Sequence, residues 1–438
     1  MLTNISLSNF RGFEEEISVR IRPITVLIGR NSAGKSTLIK FLQMLRQTLE
    51  SQRDEFLVTD GKYVQLGNWP SLRNSQSPKR AFEFSINIET SDLPAADVQQ
   101  LWKKASEKGV LTETGDQIRL SLDLTKSPVV RVSPVAVFNV RGQVRYAKQF
   151  KYGRHAVTGV SDGVEIFQKN TRNLENTGFL RFSRRTDSLN DLIESVAAEQ
   201  FLDRLRYEFT SIRHLSPIRE ESLRTVQAGN PPPRDVGDRG EYAIPHLVRI
   251  FTDDSQQDRV DFIARFASLV ADVDEISFRS RIASLSTQVK ARNKRTKAVS
   301  YLADFGFGVS QCLPLFIQGV MHDPHQLLLV EQPEAQLHPT AQLELGSFFA
   351  DLWKERKVPA IIETHSANVL LRLRRLVKEE RIKPEEITVA FFTVEERAKG
   401  ATVIVKNLDV YADGSLEKGL PMEFFGADVI EAIEMGVS

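Results

Sequence analysis

Cysteine is almost absent from this chain: Cys312 is the one thiol in 438 residues, which excludes an intramolecular disulfide and any cysteine-rich metal site. Its apolar neighbours Leu313 and Leu315 mark it as a buried side chain. An excess of charge is missing too. Basic residues number 58 and acidic ones 57, so the net charge gives no argument for or against a nucleic-acid partner, and only local clusters can speak. Nowhere do about 18 uncharged apolar residues run together, so no stretch has the length and polarity of a membrane helix. The opening Met1-Leu-Thr-Asn-Ile-Ser-Leu-Ser-Asn-Phe10 has no charged segment followed by an apolar run, and a cytoplasmic location is the expectation. No long heptad run is present, which speaks against extended coiled-coil arms. What the chain does have is length and a 41% hydrophobic share, enough for a large core and two lobes.

The most informative stretch is Thr25 to Leu38. Ile24 to Ile28 is an apolar run with the character of a short buried strand, and Gly29 to Ser36 fits G-x-x-x-x-G-K-[ST] at every fixed position. Gly29 and Gly34 permit backbone angles and close approaches that a Cβ blocks, so the N–H groups of Asn31, Ser32, Ala33 and their neighbours can curl round a polyphosphate. Lys35 then reaches the β and γ oxygens, Ser36 offers a hydroxyl to Mg2+, and Thr37 supports it. The helix that starts near Lys35 aims its positive dipole end at the phosphates. ATP with Mg2+ is the cofactor pair this pattern implies.

Around that loop the hydropathy pattern predicts an α/β chain. Leu2 to Leu7 and Ile17 to Ile21 alternate as a hairpin. After an irregular stretch from Ser51 to Pro78, strand-like runs follow at Ala81 to Glu89, Gln117 to Leu124, Val129 to Val140, Val144 to Phe150 and Val164 to Phe167, with a helix expected over Ala95 to Lys108. That block reads as an inserted antiparallel β-lobe. Helical spacing covers Ser188 to Phe209, Glu241 to Phe251 and Asp258 to Val273, with a short core strand near Ser211 to Glu220 and a Gly- and Pro-rich loop from Ala228 to Gly240. A hairpin is expected across Thr287 to Leu302. Strand and helix then alternate: Gln326 to Val330, Pro339 to Glu355, Ala360 to Glu363, Ala367 to Lys378, Ile387 to Thr393 and Thr402 to Asn407, with a last helix at Ala427 to Glu434. Such alternation predicts a mostly parallel core sheet covered by helices. The expected organisation is a first head segment at 1–50, the β-lobe at 51–185, a helical subdomain at 186–285 and a second head segment at 286–438.

A phosphate loop needs an acidic partner for its metal. Leu327-Leu-Leu-Val-Glu331 supplies an apolar strand ending in a carboxylate, and Gln332-Pro-Glu334 continues it before Leu337-His-Pro339 turns into the next helix. Gly306-Phe-Gly308-Val-Ser310-Gln311 precedes a helical run from Cys312 to Val320, so Ser310 is expected to cap a helix whose first N–H groups face an anion, with Pro314 early enough to be tolerated. Ile361-Ile-Glu-Thr-His365-Ser366 ends a strand with a histidine one helix and one strand after Glu331.

This order of motifs resembles the ABC-type AAA ATPases of the SMC and overcoming-lysogenization-defect (OLD) branch. Leu7-Ser-Asn-Phe-Arg11-Gly-Phe13 is similar to that branch's N-terminal strand, whose polar residues, here Arg11, lie near the nucleotide. The resemblance is strong over residues 1–45 and 300–375. The signature wording, His214-Leu-Ser-Pro-Ile-Arg219 and Asp413-Gly-Ser-Leu416 look most like small bacterial defence ATPases such as PtuA of Septu systems. The resemblance implies two heads sandwiching two ATP molecules in a homodimer or higher even-numbered oligomer. In that arrangement Gly308 and Ser310 touch the γ-phosphate held by the partner, Glu331 serves Mg2+, His365 senses or polarises the γ-phosphate, and Gln65 acts as a metal-sensing glutamine. The departure is Gln332, where most relatives place a glutamate to activate water. An amide cannot take a proton, so Gln332 orients water at best while Glu334 or His365 assists, and slow hydrolysis with a long-lived dimer is the expectation.

Two functions follow from these features. One is the sensor or clamp subunit of an anti-phage defence complex that controls a separate effector, a nuclease or toxin. The other is an autonomous SMC-like repair or DNA-clamp ATPase. An OLD-type nuclease needs a further metal-binding domain, and 73 residues follow His365 (438 − 365). The cluster Lys290, Arg292, Lys294, Arg295, Lys297 and the run Arg372, Arg374, Arg375, Lys378 are the candidates for DNA contact. A solvated face is the commoner explanation of such clusters, and no aromatic residues interleave the loop for base stacking.

Overall fold

The computed structural model describes residues 1–51, 57–78, 81–88, 206–227, 232–281, 286–397 and 400–417, with the backbone of the strands at 116–123, 131–140, 143–150, 157–161, 164–168, 174–176 and 182–184. The helices expected over Ala95–Lys108 and Ala427–Glu434 lie outside the described residues, as does most of Ser188–Phe209, of which 206–209 is described and helical. In chain order the strands are β1 (Leu2–Ser8), β2 (Ile17–Arg20), β3 (Ile24–Gly29), β4 (Ala81–Ile88), β5 (Asp116–Asp123), β6 (Arg131–Val140), β7 (Gln143–Phe150), β8 (Val157–Ser161), β9 (Val164–Gln168), β10 (Leu174–Asn176), β11 (Phe182–Arg184), β12 (Arg213–Leu215), β13 (Thr225–Gln227), β14 (Val273–Arg281), β15 (Ser286–Asn293), β16 (Val299–Tyr301), β17 (Leu328–Glu331), β18 (Ala360–Glu363), β19 (Ile387–Arg397) and β20 (Gly400–Asp409). The longer helices are α1 (Lys35–Glu50), α2 (Ala243–Phe251), α3 (Gln257–Ala271), α4 (Phe307–Met321), α5 (Pro339–Arg356) and α6 (Ala367–Lys378).

The chain divides into two compact units, 1–21 with 31–211 and 392–406, and 22–30 with 212–391 and 407–438. In the first, an antiparallel sheet runs β2-β1-β4-β5-β6-β7-β8-β9, so the N-terminal hairpin and the inserted strands share one sheet. Against it α1 packs its apolar side. Phe41 of α1 meets Phe10 at 5.4 Å and Phe84 of β4 at 5.0 Å between ring centroids.

The second unit is built on the sheet β12-β17-β18-β3-β19-β20, parallel from β12 through β3. The mixed α/β character with a mostly parallel core sheet is therefore as the sequence predicts. β3, β17 and β18 are contiguous apolar runs because helices cover both faces of a parallel sheet. Phe262, Phe266, Phe316, Phe348 and Phe349 from α3, α4 and α5 stack with centroids 5.0 to 6.1 Å apart, each contributing about 1.5–3 kcal/mol by burial.

Two expectations are corrected. The helix expected over Asp258 to Val273 stops at Ala271, with Asp272 left-handed at φ 52, and Val273 instead opens β14, which pairs antiparallel with β15. The helix expected from Cys312 starts a turn earlier, at Phe307, capped by Gly306 at φ 84 without any side-chain cap. Ser310 is thus inside the helix and caps nothing, and Pro314 lies in the interior, where it withholds the N–H that the Ser310 carbonyl would take in a regular helix.

Candidate functional site

The phosphate loop opens directly from a buried strand. Gly29 (φ 141), Ser32 (φ 63) and Gly34 (φ 97) take positive φ, so successive peptide units turn through conformations that extended chain does not reach. Gly34 is the N-cap of α1 and supplies no side-chain cap, which leaves the helix start to be satisfied by other acceptors. Ala33 and Lys35 are buried, Ser36 and Thr37 are half-buried, and Asn31 and Ser32 are exposed. A Cβ on Gly34 would stand 2.5 Å from Phe13 Cε1, so the loop lies flat against the turn that follows β1.

That turn is itself tightly held. Asn9 and Arg11 both adopt left-handed backbone (φ 54 and 48), and Phe10 pairs with Phe13 across it. The Arg11 N–H donates to the Leu72 carbonyl at 2.7 Å, and its own carbonyl accepts from Asn74 Nδ2 at 2.7 Å. The half-buried Arg11 side chain is thereby carried on a fixed backbone. Gln65 is exposed and forms an isolated antiparallel bridge with Asp60, whose carboxylate accepts the Gly67 N–H at 2.7 Å.

In the second unit the carboxyl ends of β3, β17 and β18 form one edge of the parallel sheet, which is where ligands of open α/β sheets sit. Glu331 is in register with Glu363, and Glu363 with Leu27, two residues before Gly29. The Thr364 N–H donates to the Leu27 carbonyl at 3.2 Å, and the Gln332 N–H donates to the Glu363 carbonyl at 2.7 Å. Gln332 is held at φ 43, an uncommon region for a residue with a Cβ. Glu334 is buried, and its Oε1 accepts the His365 N–H at 2.7 Å. Burial pushes the Glu334 carboxyl above its ordinary value, and the His365 N–H restrains the shift. The His365 side chain is exposed, while the next residue, Ser366, caps α6 by accepting the Val369 N–H.

Three side chains not expected from the sequence reading complete this edge. His214, on β12 beside β17, places Nε2 2.7 Å from Glu331 Oε1, with Asp238 3.7 Å from its Nδ1. Burial pulls the His214 imidazole down, but Asp238 and Glu331 outweigh it and leave it above its ordinary value. At 3.7 Å Asp238 acts as a charge and not as a hydrogen-bond acceptor, and Nδ1 has no partner. Arg219 is fully buried. Its Nη1 donates to the Gln311 carbonyl at 2.6 Å and its Nη2 to the Glu331 carbonyl at 3.3 Å. Burial lowers it to about 10, opposed by the charges of Glu334 and Glu331, so the guanidinium is charged at neutral pH. The signal for these residues was present, since His214 and Arg219 bracket the Leu-Ser-Pro-Ile segment singled out above, but nothing local says which strand they reach.

Ser310 is buried, and its Oγ donates to Ser222 Oγ and accepts the Ser222 N–H, both at 3.2 Å. Gly308, the second residue of α4, has room for a Cβ at an ordinary 3.5 Å from Leu337. Glu334 and His365 are thus bonded to each other, Gln332 is tied through its N–H to Glu363, and Arg219 links the Glu331 carbonyl to the Gln311 carbonyl of α4.

Residues 1–109 match the family model of the AAA ATPase domain. No curated protein matches the chain. Among solved structures it is similar to the SMC head domain from Thermotoga maritima, at 10% identity over 92% of this chain and 97% of that one with a TM-score of 0.41. It is also similar to an SMC head bound to the C-terminal winged-helix domain of ScpA, at 12% identity, 92% and 98% coverage and a TM-score of 0.42. A Pyrococcus furiosus SMC head with an extended coiled coil bound to the C-terminal domain of ScpA gives 11% identity, 100% and 99% coverage and a TM-score of 0.36.

Proposed function

We propose that this chain binds ATP with Mg2+ and hydrolyses it slowly, as an ABC-type head. The observation that carries the reading is the loop before α1: a complete G-x-x-x-x-G-K-S pattern between a buried strand and a helix, with Gly34 left-handed at the helix start and no side chain capping it. A polyphosphate is the acceptor such a helix start suits. Gly29, Asn31, Ser32, Ala33, Gly34, Lys35 and Thr37 would hold the phosphates, and Ser36 with Glu331 would hold Mg2+, a hydroxyl and carboxylate set that suits a hard cation. Bound there, Mg2+ supplies charge neutralisation for the β and γ oxygens. Gln332 would orient water without taking its proton, and Glu334, whose carboxyl is held above its ordinary value by burial, or His365 would assist.

The same reading takes two chains as the working unit, with Gly308 and Ser310 offered to the partner's nucleotide. For Ser310 this requires its bonds to Ser222 to open. We place the assembly as the sensor or clamp of an anti-phage defence complex that restrains or delivers a separate nuclease or toxin. The DNA-clamp alternative is less favoured because the basic loop is locally neutralised: Arg292, Arg295 and Lys297 pair with Asp274, Asp272 and Asp274.

Titration with a fluorescent ATP analogue tests the first step. The wild-type chain is expected to bind in the presence of Mg2+, and Lys35→Ala to lose about 10- to 100-fold in affinity. Equal affinity of the two removes the nucleotide reading. Co-purification from the native host with ATP and Mg2+ present tests the second: a stoichiometric nuclease or toxin supports the defence complex, and recovery with DNA and replication proteins supports the clamp.

A further inference from the structure

The stretch from His214 to Ser222 makes five hydrogen bonds to the Glu331 end of β17 and the N-terminal part of α4. His214 holds the Glu331 carboxylate, Arg219 holds the Glu331 and Gln311 carbonyls, and the Ser222 N–H and hydroxyl meet Ser310. Pro217 shortens the play between them, and the Glu220 N–H is pinned to the Arg239 carbonyl at 2.8 Å. A buried guanidinium is a costly way to join two carbonyls, and here its Nε is left without a partner. Removing the guanidinium would take a donor from the Glu331 and Gln311 carbonyls and a positive charge from beside the buried Glu334. What a guanidinium adds is a rigid planar fork whose two arms cannot move independently.

Resting on the ATP-binding reading, we propose that Arg219 is a positioning residue that couples Glu331 to the N-terminal turn of α4, so that nucleotide and metal at Glu331 are felt at Gly308–Gln311. A shift of the β17 end moves the Nη2 acceptor, the fork carries Nη1 with it, and the Gln311 carbonyl follows. Ser222, three residues on, carries the same displacement to Ser310. Coupling of this kind needs an element with two arrangements, and the Ser222–Ser310 pair, bonded in this state, supplies the contact that opens.

Amide hydrogen exchange across α4, with and without ATP and Mg2+, tests the proposal on the full chain alongside ATP affinity. In the wild type ATP is expected to change exchange at the first α4 amides. Arg219→Lys, which keeps the charge and loses the fork, is expected to bind ATP within about threefold of wild type, to lose that nucleotide-dependent change, and to lower kcat about tenfold at unchanged KM. Arg219→Met is the stronger variant, and where circular dichroism shows it unfolded the lysine variant decides. Retention of the nucleotide-dependent change in Arg219→Lys overturns the proposal, as does a wild type that binds ATP without any change in α4. A wild type that binds no ATP fails at the earlier step and takes this proposal with it.

Discussion

The ring of Phe13 occupies the place where a side chain on Gly34 would begin, 2.5 Å from its Cε1 and 2.9 Å from its Cζ to an ideal Cβ. Residues on the turn after β1 and on the phosphate loop are therefore fitted to each other, and Gly34 is required twice over, by the ring and by φ 97. We expect Gly34→Ala to lower stability by about 2–4 kcal/mol in urea unfolding, the sum of left-handed strain and overpacking. In a double-mutant cycle with Phe13→Ala a coupling of about 1 kcal/mol or more should appear, while the strain part remains. Additive losses would show that ring and loop are independent.

Gln332 stands where a water-activating base is expected, at φ 43 and with its N–H tied to the Glu363 carbonyl. Because the backbone is already fixed, Gln332→Glu changes the side-chain chemistry and little else. Steady-state phosphate release is expected to rise by about tenfold or more in the variant. Turnover that is brisk in the wild type and unchanged by the substitution contradicts the slow-hydrolysis expectation.

His322 is buried against the Gln318 carbonyl, and burial lowers its pKa to about 4 from 6.5. The unfolded chain therefore takes up a proton that the folded chain refuses. Its contribution to stability is complete above pH 6.5 and is lost as the pH falls from 6.5 toward 4, by up to about 1.4 kcal/mol per pH unit and about 3 kcal/mol in all. Urea unfolding of wild type and His322→Gln between pH 4.5 and 7.5 should show a steeper acid loss in the wild type. Parallel profiles would mean that the histidine is protonated in the folded state.

The loop joining β15 and β16 carries its own counter-ions on and before β14, with Arg295 3.1 Å from Asp272 and Lys297 3.0 Å from Asp274. These exposed pairs are weak stabilisers, but they cancel local potential. Charge reversal at Lys294 and Arg295 is accordingly expected to leave duplex DNA affinity unchanged in a gel-shift titration at fixed salt. A fall of about tenfold or more would move the reading to the DNA clamp.

The strand, loop and helix around Gly29–Ser36 and the ends of β17 and β18 were legible in the sequence because each is local. Apolar runs at Ile24–Gly29 and Leu328–Glu331 end in the candidates Gly29 and Glu331, and the run at Ala360–Glu363 ends two residues before His365, at the carboxyl end where open α/β sheets carry their ligand sites. β14 was hidden because Asp274 and Glu275 interrupt its alternation, and those acids make sense only beside Arg292 on the neighbouring strand. Ser310 was misplaced for a similar reason. Its spacing suits a cap, but Gly306 starts the helix and Ser222 claims the hydroxyl.

By itself the sequence determined the G-x-x-x-x-G-K-S pattern between strand and helix, the acid that follows the apolar strand, the histidine one strand later and the α/β alternation, since all rest on residues within a few positions of one another. Only the tertiary structure decided that His214 faces Glu331 across 117 residues of chain and that one buried arginine serves both Glu331 and α4. Sheet order sets those meetings. β12 lies beside β17 through parallel pairing, and no periodicity within either segment encodes that neighbour.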